Sequence, residues 1–123
     1  MISFEGFRME EGIPIYQQIL LYLKRGVVAG EIRNGDELPS RRALSALLGV
    51  NPNTVQKAYR QLEDEGLVHS HTGAKSCMVL DEYQTARIRA ELLENDAKSV
   101  VQAMKQMGLS KTEALRLIED FWD

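Results

Sequence analysis

Apolar residues recur at every third or fourth position from about Ile13 to Ala29, which is the spacing of a helix that buries one face. Pro14 suits the first turn of this helix, and Gly30 suits its end. The apolar stripe consists of Ile15, Ile19, Leu23 and Val27, widened by Tyr16 and Leu20. The pattern therefore predicts one amphipathic helix near the start of the chain.

Two shorter helices are predicted next, one on each side of a tight turn. Ser40 suits the cap of the first helix, which ends at Gly49. Asn51 and Pro52 suit the cap and the first residue of the second helix, which ends near Glu65. The predicted inward residues are Leu44, Leu47 and Leu48 in the first helix and Val55, Ala58, Tyr59 and Leu62 in the second. Two short helices joined by a turn that contains glycine are the outline of a helix-turn-helix.

A β-hairpin is predicted directly after this pair of helices. Residues 67–71 and 75–80 have the composition of strands, and Thr72-Gly73-Ala74 between them is a turn sequence. A further, very short strand is predicted at Glu37-Leu38, after the turn sequence Asn34-Gly35-Asp36. A hairpin that follows a helix-turn-helix in this way is a wing.

The remaining residues predict two more helices. Asp81 with Gln84 and Ser110 with Glu113 are capping-box pairs, and Gly108 separates the two helices that they begin. The longer helix has a heptad seam of Leu93, Ala97, Val100, Met104 and Met107. The last helix has an apolar face of Leu115, Ile118 and Trp122, with Ala114 and Phe121.

These two helices bury their apolar faces poorly on their own. Pairing with the same helices of a second copy solves this, and a two-fold dimer is the commonest solution. The alternative is that both helices fold back on the winged domain of their own chain. We expect a mainly α (α+β) protein, with an N-terminal winged helix-turn-helix DNA-binding domain at 12–80 and a two-helix C-terminal dimerisation or effector tail at 81–123.

The net charge of −3 argues at first against a nucleic-acid partner, but the distribution of charge matters more than its sum. Eight basic and six acidic residues fall between Pro14 and Leu80, and three of these acidic residues are clustered at 63–65. From Asp81 to Asp123 there are six basic and nine acidic residues. The positive balance therefore coincides with the predicted helix-turn-helix.

Other classes of function find little support in the sequence. Cys77 is the only cysteine, so no internal disulfide can form. No apolar run approaches the roughly 18 residues that span a bilayer. The N-terminus lacks a signal pattern, so a cytoplasmic location is expected. No nucleophile–base pair and no glycine-rich phosphate loop is recognisable, so neither an enzyme nor a cofactor is expected.

The second helix of the pair is expected to be the recognition helix, because that helix enters the major groove with its first residues facing base edges. Asn53 can read adenine, Thr54 can touch a phosphate or a thymine methyl group, and Gln56 is a second candidate for base contact. Lys57 and Arg60 are expected to hold phosphates, which fixes register without reading sequence.

Further phosphate contacts are expected around this helix. The preceding helix begins at Ser40-Arg41-Arg42, where free N–H groups and two guanidinium groups attract phosphate. At the wing, Gly73 allows the turn to approach DNA closely, and Lys75 supplies one cation. Ser40 and Asn51 can also serve as helix caps alone. Because the polar residues converge on one motif, we expect a double-stranded DNA operator with palindromic half-sites as the partner.

Two other interpretations of the motif stay open. A winged helix can serve protein–protein contact without DNA binding, although such a module does not need basic residues on one side. His69, His71 and Cys77 could form a metal site across the wing, whereas the simpler interpretation is two surface histidines near the DNA. Any small-molecule effector, whose identity is unknown, is expected to change the angle between the two winged domains of a dimer.

Several pieces of the sequence occur in the order and spacing of a known family. They are Pro14-Ile15-Tyr16-Gln17-Gln18-Ile19, Gly30-Glu31-Ile32, Gly35-Asp36-Glu37-Leu38-Pro39-Ser40, Arg42-Ala43-Leu44-Ser45, Leu48-Gly49-Val50, Asn51-Pro52-Asn53-Thr54-Val55-Gln56-Lys57-Ala58-Tyr59, Leu62-Glu63 and Glu65-Gly66-Leu67-Val68. From about Pro14 to Val79 the chain thus resembles the GntR family of bacterial regulators. Its short tail is similar to the YtrA subfamily, whose members lack the larger ligand-binding domain of their relatives.

The resemblance implies a dimeric winged-helix repressor, often of a transporter operon that includes the regulator's own gene. It also implies DNA contacts from Arg42, from the start of the recognition helix and from the wing-tip Gly73. The family wing usually has glycine, a basic residue, glycine and threonine, whereas this chain has Gly73-Ala74-Lys75-Ser76. The basic side chain is therefore displaced along the wing by at least one position.

Overall fold

The computed structural model describes residues 1–70 and 75–123. Its elements are α1 Ile15–Val28, β1 Glu37–Leu38, α2 Arg41–Leu48, α3 Pro52–Asp64, β2 Val68–Ser70, β3 Ser76–Met78, α4 Glu82–Gln106 and α5 Lys111–Trp122. Each predicted helix and strand is confirmed to within about two residues at its ends, the range over which such boundaries are defined, except that the predicted end of the first wing strand at residue 71 lies outside the described residues. The predicted winged helix-turn-helix fold is confirmed with them.

The helix-turn-helix forms where the sequence supplies caps. Ser40 Oγ accepts a hydrogen bond from the Ala43 N–H at 3.0 Å. Asn51 Oδ1 accepts one from the Asn53 N–H at 2.8 Å. Gly49 ends α2 with a φ of 68°, in the left-handed region where a side chain would be strained. These local signals end α2 and restart the chain as α3.

A three-stranded antiparallel sheet, in the order β1-β3-β2, packs beside α3. Leu38 stands opposite Ser76, and Val68 stands opposite Met78. Strands β2 and β3 are the predicted wing hairpin. The predicted turn between them, including Gly73, lies outside the described residues.

The core lies between α1, α2, α3 and the sheet. Its largest fully buried side chains are Tyr59, Ile19, Leu23, Leu44, Leu62, Leu67, Met78 and Val55. One predicted inward residue is wrong, because Leu47 is 67% exposed. The buried stripe of α2 is centred among Leu44, Ser45 and Leu48, and Leu47 lies about 100° around the helix from that centre.

The segment before α1 also packs on this core, although no sequence pattern predicted it. The buried Gln18 side-chain amide donates to the carbonyl oxygens of Glu10 and Ile13, at 2.9 and 2.7 Å. Its oxygen accepts from the Glu10 N–H at 2.8 Å. Phe4 stacks on the Tyr22 ring, with 4.8 Å between the centroids. The Gln18 amide and the aromatic contact with Tyr22 therefore hold in place a segment that has no regular structure of its own.

The chain divides into two compact units, 1–88 and 89–123, and the division falls within α4. Ile88 is buried in the first unit, and Gln84 Nε2 donates to the Gly66 carbonyl at 3.1 Å. In the second unit, the rest of α4 and all of α5 leave most of their apolar side chains exposed. These exposed residues include Leu93, Val100, Val101, Met107, Leu115, Leu117, Ile118, Phe121 and Trp122.

Gly26 provides a test of the packing between α1 and the loop that follows it. A Cβ at this position would lie 2.5 Å from Cδ1 and 2.9 Å from Cγ1 of the buried Ile32. Helix propensity alone would make Gly26→Ala stabilising by about 1 kcal/mol. We expect the opposite sign, because overpacking costs about 1–3 kcal/mol.

Urea unfolding measures this difference, and Gly6→Ala is the matched control. A Cβ at Gly6 would meet only the Tyr22 hydroxyl at 3.7 Å, an ordinary contact. The control should leave the free energy of unfolding nearly unchanged. A Gly26→Ala variant more stable than the parent would contradict this packing.

Candidate nucleic-acid interface

Helix α3 is held by one face and presents the other to solvent. Val55, Ala58, Tyr59 and Leu62 are fully buried at 0% exposure. Of the predicted base and phosphate contacts on α3, three are exposed and two are half-buried at the edge: Asn53, Lys57 and Arg60, then Thr54 and Gln56. Because one face of α3 is buried, only the opposite side is open to solvent, and this side carries Asn53, Lys57 and Arg60.

Lys57 and Tyr16 meet beside the first turn of α3. The Lys57 ammonium nitrogen lies 4.0 Å from the centre of the Tyr16 ring, a cation–π contact. Asn53 and Thr54 line the same open groove, of about 620 Å³, between the starts of α1 and α3. The sequence pattern assigned Tyr16 to the apolar stripe of α1. The apolar pattern indicates that the Tyr16 ring packs, but nothing in the sequence indicates that it also lies under the Lys57 ammonium group.

Helix α2 begins with two arginines that have different surroundings. Arg42 is exposed, two residues after the exposed cap residue Ser40. Arg41 is half-buried, and its Nη2 donates to Glu63 Oε1 on α3 at 3.1 Å. The Arg41 guanidinium also lies 5.3 Å from the centre of the Tyr59 ring. Arg42 is therefore presented to solvent, whereas Arg41 is tied to α3.

Within the described residues, the wing carries one of the predicted phosphate contacts, Lys75. Lys75 is exposed immediately before β3, and the predicted contact Gly73 lies outside the described residues. The two cap residues, Ser40 and Asn51, already accept hydrogen bonds from their own helices.

Tyr59 anchors α3 from within the core. Its hydroxyl donates to the Pro39 carbonyl at 2.7 Å, which ties α3 to the residue before the N-cap of α2. Burial raises the pKa of the Tyr59 hydroxyl well above its usual range, and the nearby Arg41 guanidinium partly opposes that rise. Tyr59 therefore stays protonated and continues to donate.

The proposed metal site finds no support within the described chain. His69 is exposed in β2, Cys77 is half-buried in β3, and His71 lies outside the described residues. Across residues 1–70 and 75–123, no group of three or more His, Cys, Asp or Glu side chains is arranged to hold a metal ion.

Among these same residues, no helix combines the length and the apolarity needed to cross a membrane.

Comparison with known proteins identifies the family. The sequence profile described as "Bacterial regulatory proteins, gntR family" matches residues 15–76, from the start of α1 to the start of β3. This chain belongs to the GntR family. The matched segment contains both helices of the helix-turn-helix, so the resemblance noted in the sequence is confirmed.

Individual relatives of this GntR protein extend the likeness beyond the winged domain. The HTH-type transcriptional repressor YtrA of Bacillus subtilis is 34% identical over 94 residues, covering 76% of this chain and 68% of YtrA. The uncharacterized HTH-type transcriptional regulator YhcF of the same organism is 35% identical over 113 residues, covering 88% and 89%. A GntR family regulator from Listeria monocytogenes has a TM-score of 0.79 and 26% identity, covering 91% of this chain and 98% of its own.

The family assignment and these relatives make this GntR protein a DNA-binding transcription regulator. The relatives named above are transcription regulators and not enzymes.

The raised pKa of Tyr59 predicts a pH dependence of stability. Above about pH 10, a tyrosine in the unfolded chain loses its proton while the buried Tyr59 keeps it, so alkali favours unfolding. This group contributes stability below about pH 10 that is lost as the pH rises, by up to about 1.4 kcal/mol per pH unit. Tyr59→Phe should be less stable than the parent at pH 8, by about 1 kcal/mol, because the Pro39 carbonyl loses its donor.

Urea unfolding between pH 8 and pH 11 measures the effect. The gap between the parent and Tyr59→Phe should narrow as the pH rises, whereas Tyr83→Phe, at a residue 75% exposed, should track the parent throughout. A gap that stays constant to pH 11 would mean that Tyr59 titrates normally.

Proposed function

We propose that this GntR protein is a homodimeric repressor that reads the major groove of an operator with α3. The observation that carries the proposal is the complete burial of one face of α3, which leaves the Asn53, Lys57 and Arg60 side outward. A helix fixed in this way can enter a groove without rearrangement of the core.

The exposed residues divide into two kinds of contact. Asn53, Thr54 and Gln56 carry amide and hydroxyl groups that suit base edges, with Asn pairing to adenine through two hydrogen bonds. Lys57 and Arg60 suit phosphates, and the Tyr16 ring beneath Lys57 restricts where its ammonium group can lie. We assign further phosphate contacts to Ser40, Arg42, Lys75 and the wing-tip Gly73, and a helix-capping role to Asn51.

We propose the winged domain at 12–80 as the DNA-binding part and the tail at 81–123 as the dimerising part. The tail exposes several large apolar side chains: Leu93 is 48%, Leu115 55% and Trp122 81% exposed in the single chain. A second copy would cover this surface, with Leu93, Ala97, Val100 and Met104 along α4, Met107 directly after it, and Leu115, Ile118 and Trp122 along α5. Two-fold symmetry would present the two α3 helices to palindromic half-sites about one helical turn apart.

Repression is proposed from the likeness to YtrA, which is named a transcriptional repressor. Control of a transporter operon that includes the regulator's own gene fits the same family, and the protein would act in the cytoplasm. A small-molecule effector would act by changing the angle between the winged domains of the dimer, because small rotations misplace α3 in its half-site.

Triple substitution of Asn53, Thr54 and Lys57 by alanine tests the assignment of α3. The probe is a duplex of roughly 30 base pairs selected by the full-length protein from a random pool, long enough for two half-sites. Affinity for this duplex should fall at least about a hundredfold, because each lost base contact is worth about 1–3 kcal/mol. Lys98→Ala, which removes a cation paired with Glu94 at 3.0 Å on α4, should bind as the parent does.

Parent-like affinity in the triple variant would contradict the assignment. Absent or salt-insensitive binding of DNA by the parent would instead favour a winged helix used for protein–protein contact, because phosphate contacts release counterions.

Val100→Glu tests the dimer. A carboxylate at this seam position would be buried against the partner helix, so the variant should sediment as a monomer at concentrations where the parent is a dimer. Gln102→Glu adds the same charge on the opposite side of α4 and should leave the dimer intact. A monomeric parent, or a dimeric Val100→Glu variant, would contradict the proposed interface.

A further inference from the structure

One carboxylate joins α3 to both elements that flank it. Glu63 Oε1 accepts a hydrogen bond from Arg41 Nη2 at 3.1 Å and another from Ser70 Oγ at 2.6 Å. Ser70 Oγ lies 3.0 Å from the Oγ of Ser76, which is buried in β3. The last turn of α3 is thereby linked to the first residue of α2 and to both strands of the wing.

The surroundings of Arg41 favour this link over contact with a DNA phosphate. Its guanidinium lies over the buried Tyr59 ring, and its Nε is buried with no hydrogen-bond partner in the described part of the chain. The ring and the Glu63 carboxylate, a charge-assisted partner, hold the guanidinium against α3, and a phosphate would compete with that carboxylate for it. Arg42, one residue later, is exposed, and among residues 1–70 and 75–123 no ring or carboxylate is in contact with its guanidinium.

We propose that Glu63, through Arg41 and Ser70, positions the start of α2 and the base of the wing relative to the recognition helix, and that neither Glu63 nor Arg41 contacts DNA. Both are positioning residues in this assignment. The inference rests on the proposed DNA interface, since it concerns how that interface is held.

Whether removal of Glu63 weakens or strengthens DNA binding distinguishes a positioning role from simple charge repulsion. An acidic residue near a DNA-binding surface repels phosphate, so its removal ordinarily strengthens binding. Removal of a positioning carboxylate weakens binding, because the contacts it aligns are misplaced. Asp64 offers a matched comparison, since it is the next residue of α3, carries the same charge and is exposed.

The test uses full-length protein and the selected duplex described above. Glu63→Ala should weaken binding roughly three- to tenfold, in the range of interaction energies within one network. Asp64→Ala should leave affinity unchanged or raise it. Stronger binding by Glu63→Ala, in parallel with Asp64→Ala, would overturn the inference.

The salt dependence of binding distinguishes the two arginines. Loss of a phosphate contact lowers the slope of log affinity against log salt by about one unit per contact. Arg42→Ala should show this lower slope, whereas Arg41→Ala should weaken binding with the slope of the parent. A slope reduced equally by both substitutions would make Arg41 a phosphate contact and overturn the inference.

A double variant tests whether Arg41 and Glu63 act through each other. Arg41→Ala with Glu63→Ala should lose no more affinity than the weaker-binding single variant, because both remove the same link. If the fold-losses in affinity of the two single variants multiply in the double variant, Arg41 and Glu63 act independently and the proposed link is contradicted. If Glu63→Ala does not fold, as judged by thermal unfolding, Ser70→Ala removes only a hydroxyl and should show the same weakened binding at unchanged slope.

The same assay separates failure of this inference from failure of the DNA interface. Salt-dependent binding by the parent, lost with the α3 triple variant but unaffected by Arg41→Ala and Glu63→Ala, would reject the positioning role alone. Salt-insensitive binding by the parent would reject the interface itself, and this inference with it.

Discussion

The packing of α3 on α1 is the constraint from which the proposed interface follows. Val55, Ala58, Tyr59 and Leu62 fill one side of the helix and have no exposed surface. Because rotation of α3 about its axis would expose this apolar face, the helix has one stable orientation. The polar side chains at its first turns then point outward as a consequence of the core and not of any contact among themselves.

The neighbouring elements are aligned by polar groups that the core alone does not supply. The Tyr59 hydroxyl reaches the Pro39 carbonyl, and the Glu63 carboxylate reaches Arg41 and Ser70. Apolar packing sets the rotation of α3, whereas these hydrogen bonds set where α2 and the wing begin.

Much of this architecture could be predicted from the sequence, because its signals are local. Ser40, Gly49 and Asn51 act as the predicted caps, and the apolar spacing of α1 and α3 identified their buried faces. The exposure of Leu47 was not predicted, because a helix as short as α2 buries only a narrow stripe.

Features that depend on contacts between residues far apart in the sequence could not be predicted from it. The segment before α1 has no periodicity and is held by the buried Gln18 amide and by Tyr22. In the sequence, Gln18 has the character of an ordinary surface residue. Arg41 and Arg42 are indistinguishable as neighbours in the sequence, and the placement of Glu63 and Tyr59 on α3 distinguishes them. The groove shared by Tyr16 and Lys57 likewise exists only once α1 and α3 are packed.

The most direct test of the account is to follow the backbone amide resonances of the full-length protein by NMR while the selected duplex is added. If α3 and the start of α2 contact the duplex, the largest shifts will fall at residues 51–57 and 40–42, with little change across 111–122. Shifts confined to 111–122 or to the segment before α1, with 51–57 unaffected, would contradict it.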